Sequence, residues 1–149
     1  VYKEGDLETA LIDNLSQFLL ELGKGFTYVG RQQRINIGGR IFKIDLVFYH
    51  RILKCFVLID LKRGEVQHED IGQMNLYLNY YREEMNTPGD TEPIGIVMGA
   101  YEDKLMVKYA TQNISNQLFV SRYQLYLPDK DQLENEIRRF MDADAARED

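Results

Sequence analysis

Between positions 6 and 22 the apolar residues Leu7, Leu11, Leu15, Phe18 and Leu22 recur three or four apart, and Ile12 and Leu19 widen the stripe. That period predicts an amphipathic helix, which Gly23 and Gly25 end. The period then shortens. Stretches 26–37, 40–49 and 53–61 are rich in Val, Ile, Phe and Tyr, and Gly38-Gly39 joins the first two as a two-residue hairpin turn, so three consecutive antiparallel strands are expected. The third is apolar at every position from Cys55 to Ile59, as befits a central strand covered on both faces.

Further along, Ile71, Met74, Leu78 and Tyr81 predict a second helix over 69–84, and the run Asn86-Thr87-Pro88-Gly89-Asp90 breaks it. A short buried strand over 93–99 follows, then a segment at 102–111 read as a short helix, then a strand over 118–127. Leu133, Ile137, Phe140 and Met141 predict a last helix over 131–141, and the acidic residues 142–149 are expected to fray. The alternation of helices and strands predicts an α/β sandwich whose central mixed β-sheet is flanked by helices on both faces.

The 149 residues suit one domain, placed at 1–141, that can bury about two-thirds of its unfolded surface. Hydrophobic residues at 44% and charged residues at 28% give a globular balance. The lone Cys55 excludes an internal disulfide scaffold and favours a reducing, cytoplasmic setting. No apolar run approaches a membrane span and no export signal is present, while the absent initiator Met suggests a fragment of a longer protein. The net charge of −6 disfavours a nucleic-acid partner until its distribution is considered. Residues 31–63 hold eight cations (Arg31, Arg34, Arg40, Lys43, Arg51, Lys54, Lys62, Arg63) against Asp45 and Asp60, a local +6 that leaves −12 elsewhere. Such a segment is either a solvated face or a phosphate-binding one.

Two charged residues emerge from the apolar third strand, Asp60 and Lys62, and period-two alternation puts both on one face. A tight turn centred between Ile52 and Leu53 pairs residues whose numbers sum to 105, so Asp45 is expected to face Asp60. Opposed carboxylates raise each other's pKa and call for more positive charge than Lys62 supplies. A hard divalent ion such as Mg²⁺ (or Mn²⁺), held by Asp45, Asp60 and the carbonyl after Asp60, would supply it and could activate a water for phosphodiester hydrolysis. Duller readings stay open: a structural Asp60–Lys62 ion pair, or Asp45 accepting hydrogen bonds from Arg40 or Lys43.

At these residues the chain resembles the PD-(D/E)XK nuclease superfamily and, within it, the bacterial YhcG-like group, usually the carboxy-terminal nuclease domain of a longer protein. The resemblance covers roughly residues 6–127. It is carried by Asp6-Leu7-Glu8-Thr9-Ala10-Leu11-Ile12, Tyr28-Val29-Gly30-Arg31-Gln32, Ile44-Asp45-Leu46-Val47-Phe48-Tyr49-His50-Arg51, Asp60-Leu61-Lys62 and Gly72-Gln73-Met74-Asn75-Leu76-Tyr77-Leu78. The resemblance implies a restriction-endonuclease-like sandwich. It also implies a metal bound by Glu8, Asp45 and Asp60, catalysis that includes Lys62, and Gln73 and Tyr77 on one helix face beside the scissile phosphate. Relatives mostly carry Glu where this chain has Asp60, a methylene shorter; the superfamily pattern admits either acid.

Without the resemblance, Glu8 reads as an exposed first-turn acid, and Gln73 with Tyr77 as the polar and aromatic edges of a core-facing helix. His50 and His68 lack zinc-ligand spacing, and Cys55 reads as a core residue. The leading expectation is therefore a Mg²⁺-dependent DNA endonuclease domain, with phosphate contacts from Arg31, Arg34, Arg40, Lys43 and Arg63. The alternative is a catalytically weak or inactive nuclease fold kept for DNA docking or protein assembly. RNA stays open as a substrate, a homodimer would provide the second site for double-strand cutting, and an amino-terminal domain is expected to be missing.

Overall fold

A computed structural model describes residues 4–22, 24–101 and 104–148, with side chains described at all of them except 4–8, 63, 100, 101, 104, 105 and 144–148. Helix α1 (Glu4–Glu21) precedes three strands, β1 (Phe26–Ile37), β2 (Arg40–His50) and β3 (Cys55–Arg63). Helix α2 (His68–Tyr80) continues as a π-helical turn at Tyr81–Met85; β4 (Ile94–Tyr101) and β5 (Lys104–Ala110) follow. The chain ends with short helical turns from Asn116 to Tyr126 and helix α4 (Lys130–Glu148), α3 being the first of those turns (Asn116–Leu118).

The five strands lie in sequence order, antiparallel except where β3 runs parallel to β4. A parallel pair needs a crossover, and α2 supplies it. Gly38 and Gly39, at φ +60° and +85°, form the tight turn between β1 and β2, which only residues free of a Cβ adopt readily. Around β3 the burial is two-sided. Cys55, Val57 and Ile59 pack toward α1 and α4 with Leu15, Leu19, Leu133 and Ile137, while Leu58 packs toward α2 with Met74, Tyr77 and Leu78. The mixed sheet covered by helices on both faces is the architecture the periodicity predicts. Among the described residues no helix is long and apolar enough to cross a membrane.

Two elements differ from expectation. The segment read as a short helix at 102–111 is strand β5 over Lys104–Ala110, paired antiparallel with β4 from Gly95↔Ala110 to Tyr101↔Lys104; positions 102 and 103 lie outside the described residues. Its period is two, with Val107 buried between exposed Met106 and Lys108. Conversely, 118–127 is helical rather than a strand. Phe119, Tyr123 and Leu127 face the core at four-residue spacing, while Leu118, Val120 and Leu125 are exposed. Ser115 caps the segment by accepting a hydrogen bond from Leu118 N at 3.1 Å. Helix α4 also runs on to Glu148, through acidic positions expected to fray. His50 is fully buried; its Nδ1 accepts from Leu53 N at 3.2 Å and its Nε2 lies 3.1 Å from Tyr126 O, tying the helical turns to the β2–β3 turn.

Candidate active site

The register of β2 against β3 runs from Leu46↔Ile59 to His50↔Cys55, and one further step places Asp45 opposite Asp60. At that step side chains replace the backbone ladder. Asp60 Oδ1 accepts from Asp45 N at 3.1 Å, and Asp45 Oδ2 accepts from Leu61 N at 2.7 Å, so each carboxylate satisfies the other strand's amide. The strand ends are thereby held open with two acids between them. Leu58 faces α2, so Asp60 and Lys62, two and four positions on, face it too.

These residues line a cleft of about 230 Å³ with Lys43, Leu61, Asp70, Gln73, Tyr77 and Val97. The sequence-predicted Asp45, Asp60, Lys62, Gln73 and Tyr77 are thus brought to one place. Glu8 lies on α1, but its side chain is outside the described residues, as is that of Arg63. A larger hollow of about 440 Å³ beside β5 and the start of α4, lined by Tyr109, Phe119 and Leu127, lies elsewhere; its Asp129 is used to cap α4. The facing acids line the smaller, more polar cleft.

Burial raises the carboxyl pKa of Asp45, and hydrogen bonds from Leu61 and Gln32 pull it back only in part. Asp60 is pushed up to about 7, first by burial and then by the negative charge of Asp45, with Lys62 opposing weakly. Burial and mutual repulsion thus favour the protonated form of Asp60, and a cation between the two acids would oppose that. Burial also pushes Tyr77 up to about 12, assisted by the charges of Asp60 and Asp45. Its ring packs edge-on against Phe42, with centroids 5.7 Å apart.

Lys62 does not pair with Asp60. Its Nζ lies 3.0 Å from Asp70 Oδ1, on the first turn of α2. Asp70 is buried, which alone would raise its pKa, yet the Gln67 amide at 2.7 Å and Lys62 together hold the carboxyl below its usual range. Neither Arg40 nor Lys43 donates the hydrogen bond to Asp45 that the duller reading offers; Gln32 Nε2 donates to Asp45 Oδ1 at 3.1 Å instead. Asp70 and Gln32 are the site residues that sequence reasoning misses. For Asp70 no periodic signal links it to Lys62. For Gln32 a signal exists: the Gly38-Gly39 turn pairs residues whose numbers sum to 77, which sets Gln32 against Asp45.

The predicted cations divide. Arg31 pairs with Asp13. Arg40 lies over the Phe42 ring, 5.1 Å from its centroid. Arg34 and Lys43 are exposed and directly opposite each other. Cys55 is buried and its thiol is pushed up to about 12, which fits a core residue and no nucleophile. Among the described residues, no group of three or more His, Cys, Asp or Glu side chains is close enough to hold a metal ion. The donor set still suits a hard cation: two facing carboxylates in a polar cleft, where burial and mutual repulsion raise the pKa of Asp60 for want of positive charge.

An α/β sandwich with acids at the diverging ends of two central strands and a lysine two residues on is the arrangement of a PD-(D/E)XK nuclease-type domain. The chain belongs to the family described as the YhcG PDDEXK nuclease domain, whose model matches residues 1–138. It is 43% identical over 138 residues to YhcG of Escherichia coli (strain K12), covering 93% of this chain and 37% of that protein. The chain thus spans just over a third of the length of this curated relative. Among solved structures, SSO0001 overlaps 78% of this chain and 55% of its own, at TM-score 0.43 and 17% identity, too distant a likeness to bear on function.

Proposed function

We propose that this domain is a metal-dependent endonuclease that hydrolyses phosphodiester bonds in DNA, with Asp45 and Asp60 holding Mg²⁺ or Mn²⁺. The observation that carries the reading is the opposed Asp45–Asp60 pair with Lys62 on the same face of the sheet. Glu8 is assigned as a further ligand from its place in the family motif. A divalent ion bound there supplies Lewis acidity and lowers the pKa of a coordinated water.

The chain's own residues do the rest. Asp45 and Asp60 present the oxygen donors. Lys62, anchored by Asp70 at the cleft wall, orients the attacking water or steadies charge developing on the phosphate oxygens. Gln73 and Tyr77, one helical turn apart on α2, position the scissile phosphate from the helix side of the cleft. Arg34 and Lys43 are the cations best placed to receive the flanking phosphates, with Arg31, Arg40 and Arg63 supporting them. The free Cys55 favours a cytoplasmic setting. A homodimer would suit double-strand cutting.

One observation favours a second reading, a docking module without catalysis: the ammonium of Lys62 is already committed to Asp70. Nicking of supercoiled plasmid separates the two. With Mg²⁺ or Mn²⁺ the domain should nick, EDTA should stop it, and Lys62→Met should lower the rate by about two or more orders of magnitude while the protein still folds, as circular dichroism at the assay temperature checks. A Lys62→Met protein that nicks as fast as wild type removes Lys62 from the mechanism, and a wild type inert with both metals leaves the docking reading standing.

A further inference from the structure

Gln32 is a strained residue in the interior of a strand. Its φ is +51°, in the left-handed region that side chains other than Asn and Asp seldom enter. Lys54, at φ +58°, shares this sign, but it lies in the turn between β2 and β3, where chain reversal accounts for it. No turn accounts for Gln32.

Its consequence is a reversal of side-chain parity on both strands at one rung. On β2, Val47 packs toward α2, so Asp45 shares that face, yet Ile44 next to Asp45 also packs toward α2. Leu46 and Phe48, which strict alternation would put on the same face as Ile44, pack toward α1 and α4. The break falls where β1 carries Gln32, between the pairs Arg31↔Leu46 and Gln33↔Ile44. There Gln32 Nε2 donates to Asp45 Oδ1 at 3.1 Å while Leu61 N donates to Oδ2 at 2.7 Å. Each oxygen is held by one donor and keeps a further lone pair for a cation.

We propose that Gln32 is a positioning residue for Asp45: its left-handed backbone aims the side-chain amide at Oδ1 and locks the carboxylate so that its free lone pairs converge with those of Asp60 on one divalent cation. Strain of this kind persists where surrounding structure enforces it, and here it orients a ligand. The inference rests on the reading that Asp45 and Asp60 hold the ion together.

The substitution Gln32→Gly separates backbone from side chain, because glycine adopts φ +51° without strain but has no amide to donate. Mn²⁺ is titrated into wild type, Gln32→Gly, Lys54→Gly and Asp45→Asn, starting from EDTA-treated protein, and the melting temperature is followed. Apparent affinity comes from the concentration dependence of the shift, separately from each variant's metal-free stability. Wild type should respond and Asp45→Asn should respond little. Gln32→Gly should match or exceed the wild-type melting temperature in EDTA yet bind Mn²⁺ about ten- to a hundredfold more weakly, the usual effect of removing a hydrogen bond that orients a ligand. Lys54→Gly, which relieves the same backbone strain away from the site, should keep wild-type affinity. If Gln32→Gly binds Mn²⁺ as tightly as wild type, the positioning role is overturned while the Asp45–Asp60 reading stands. If wild type itself shows no shift, that reading fails and the positioning role falls with it.

Discussion

Two acids share one rung of this sheet, and the molecule carries the energetic consequence at Asp60. Its carboxyl, raised from 3.8 to about 7, keeps a proton in the folded chain that the unfolded chain releases. The stability linked to that proton is fully present below about pH 4 and is lost as pH rises through about 7. Asp60→Asn imitates the protonated form, and its Oδ1 can still accept from Asp45 N. In EDTA the variant should therefore match wild type near pH 4 and exceed it at pH 8, by on the order of 2 kcal/mol after allowance for partial exposure. Thermal denaturation across that range checks it, and parallel curves for the two proteins would show that Asp60 folds as an ordinary ionised carboxylate. The same substitution should abolish Mn²⁺ stabilisation, so a change that strengthens the fold disables the site, as expected where function demands an unfavourable pair.

Helix α2 connects the fold to the cleft, and its placement depends on what lies beneath it. Gly95 on β4 lets Met74 approach so closely that an added Cβ would lie 2.5 Å from its Cγ. The first turn is fixed by Asp70, which accepts from Gln67 N and holds Lys62 from the neighbouring strand. One turn further on, Gln73 and Tyr77 look into the cleft. Gly95→Ala should push Met74 aside and lift the helix, costing about 1–3 kcal/mol of stability and lowering nicking more than a surface change of equal stability cost. Urea denaturation and plasmid nicking on the same samples test this; an unchanged midpoint would mean that Met74 yields without moving α2. Elements were legible where period and punctuation agreed, as in α1 and the Gly38-Gly39 hairpin. Period misleads at 102–111, where a seven-residue strand offers few alternations, and at 118–127. There an approximate alternation of apolar and polar residues hides a four-residue spacing that only a covering core reveals.

On the scale of the whole molecule, the net charge of −6 conceals a basic β-hairpin beside an acidic cleft. Arg34 and Lys43 face each other across the hairpin as like charges, an arrangement that opposes pairing unless an anion lies between them. Arg31, by contrast, is already matched to Asp13. In a Lys62→Ala background, Arg34→Ala and Lys43→Ala should each weaken DNA binding and reduce the salt slope by about 1, while Arg31→Ala should do less. Fluorescence anisotropy at several salt concentrations reads both quantities, and an Arg31→Ala effect larger than that of Arg34→Ala would move the DNA path off this face.

The sequence by itself determined the helix and strand periods, the three-stranded antiparallel unit and the rung joining Asp45 to Asp60. Each of these follows from spacing along the chain and from turns only a few residues long. Tertiary structure alone decided that β3 and β4 run parallel, that Lys62 pairs with Asp70 rather than Asp60, and that Gln32 bends out of strand geometry to reach Asp45. Those outcomes depend on which side chains meet when separate elements pack, and on strain at one residue that contacts elsewhere hold in place, neither of which periodicity records.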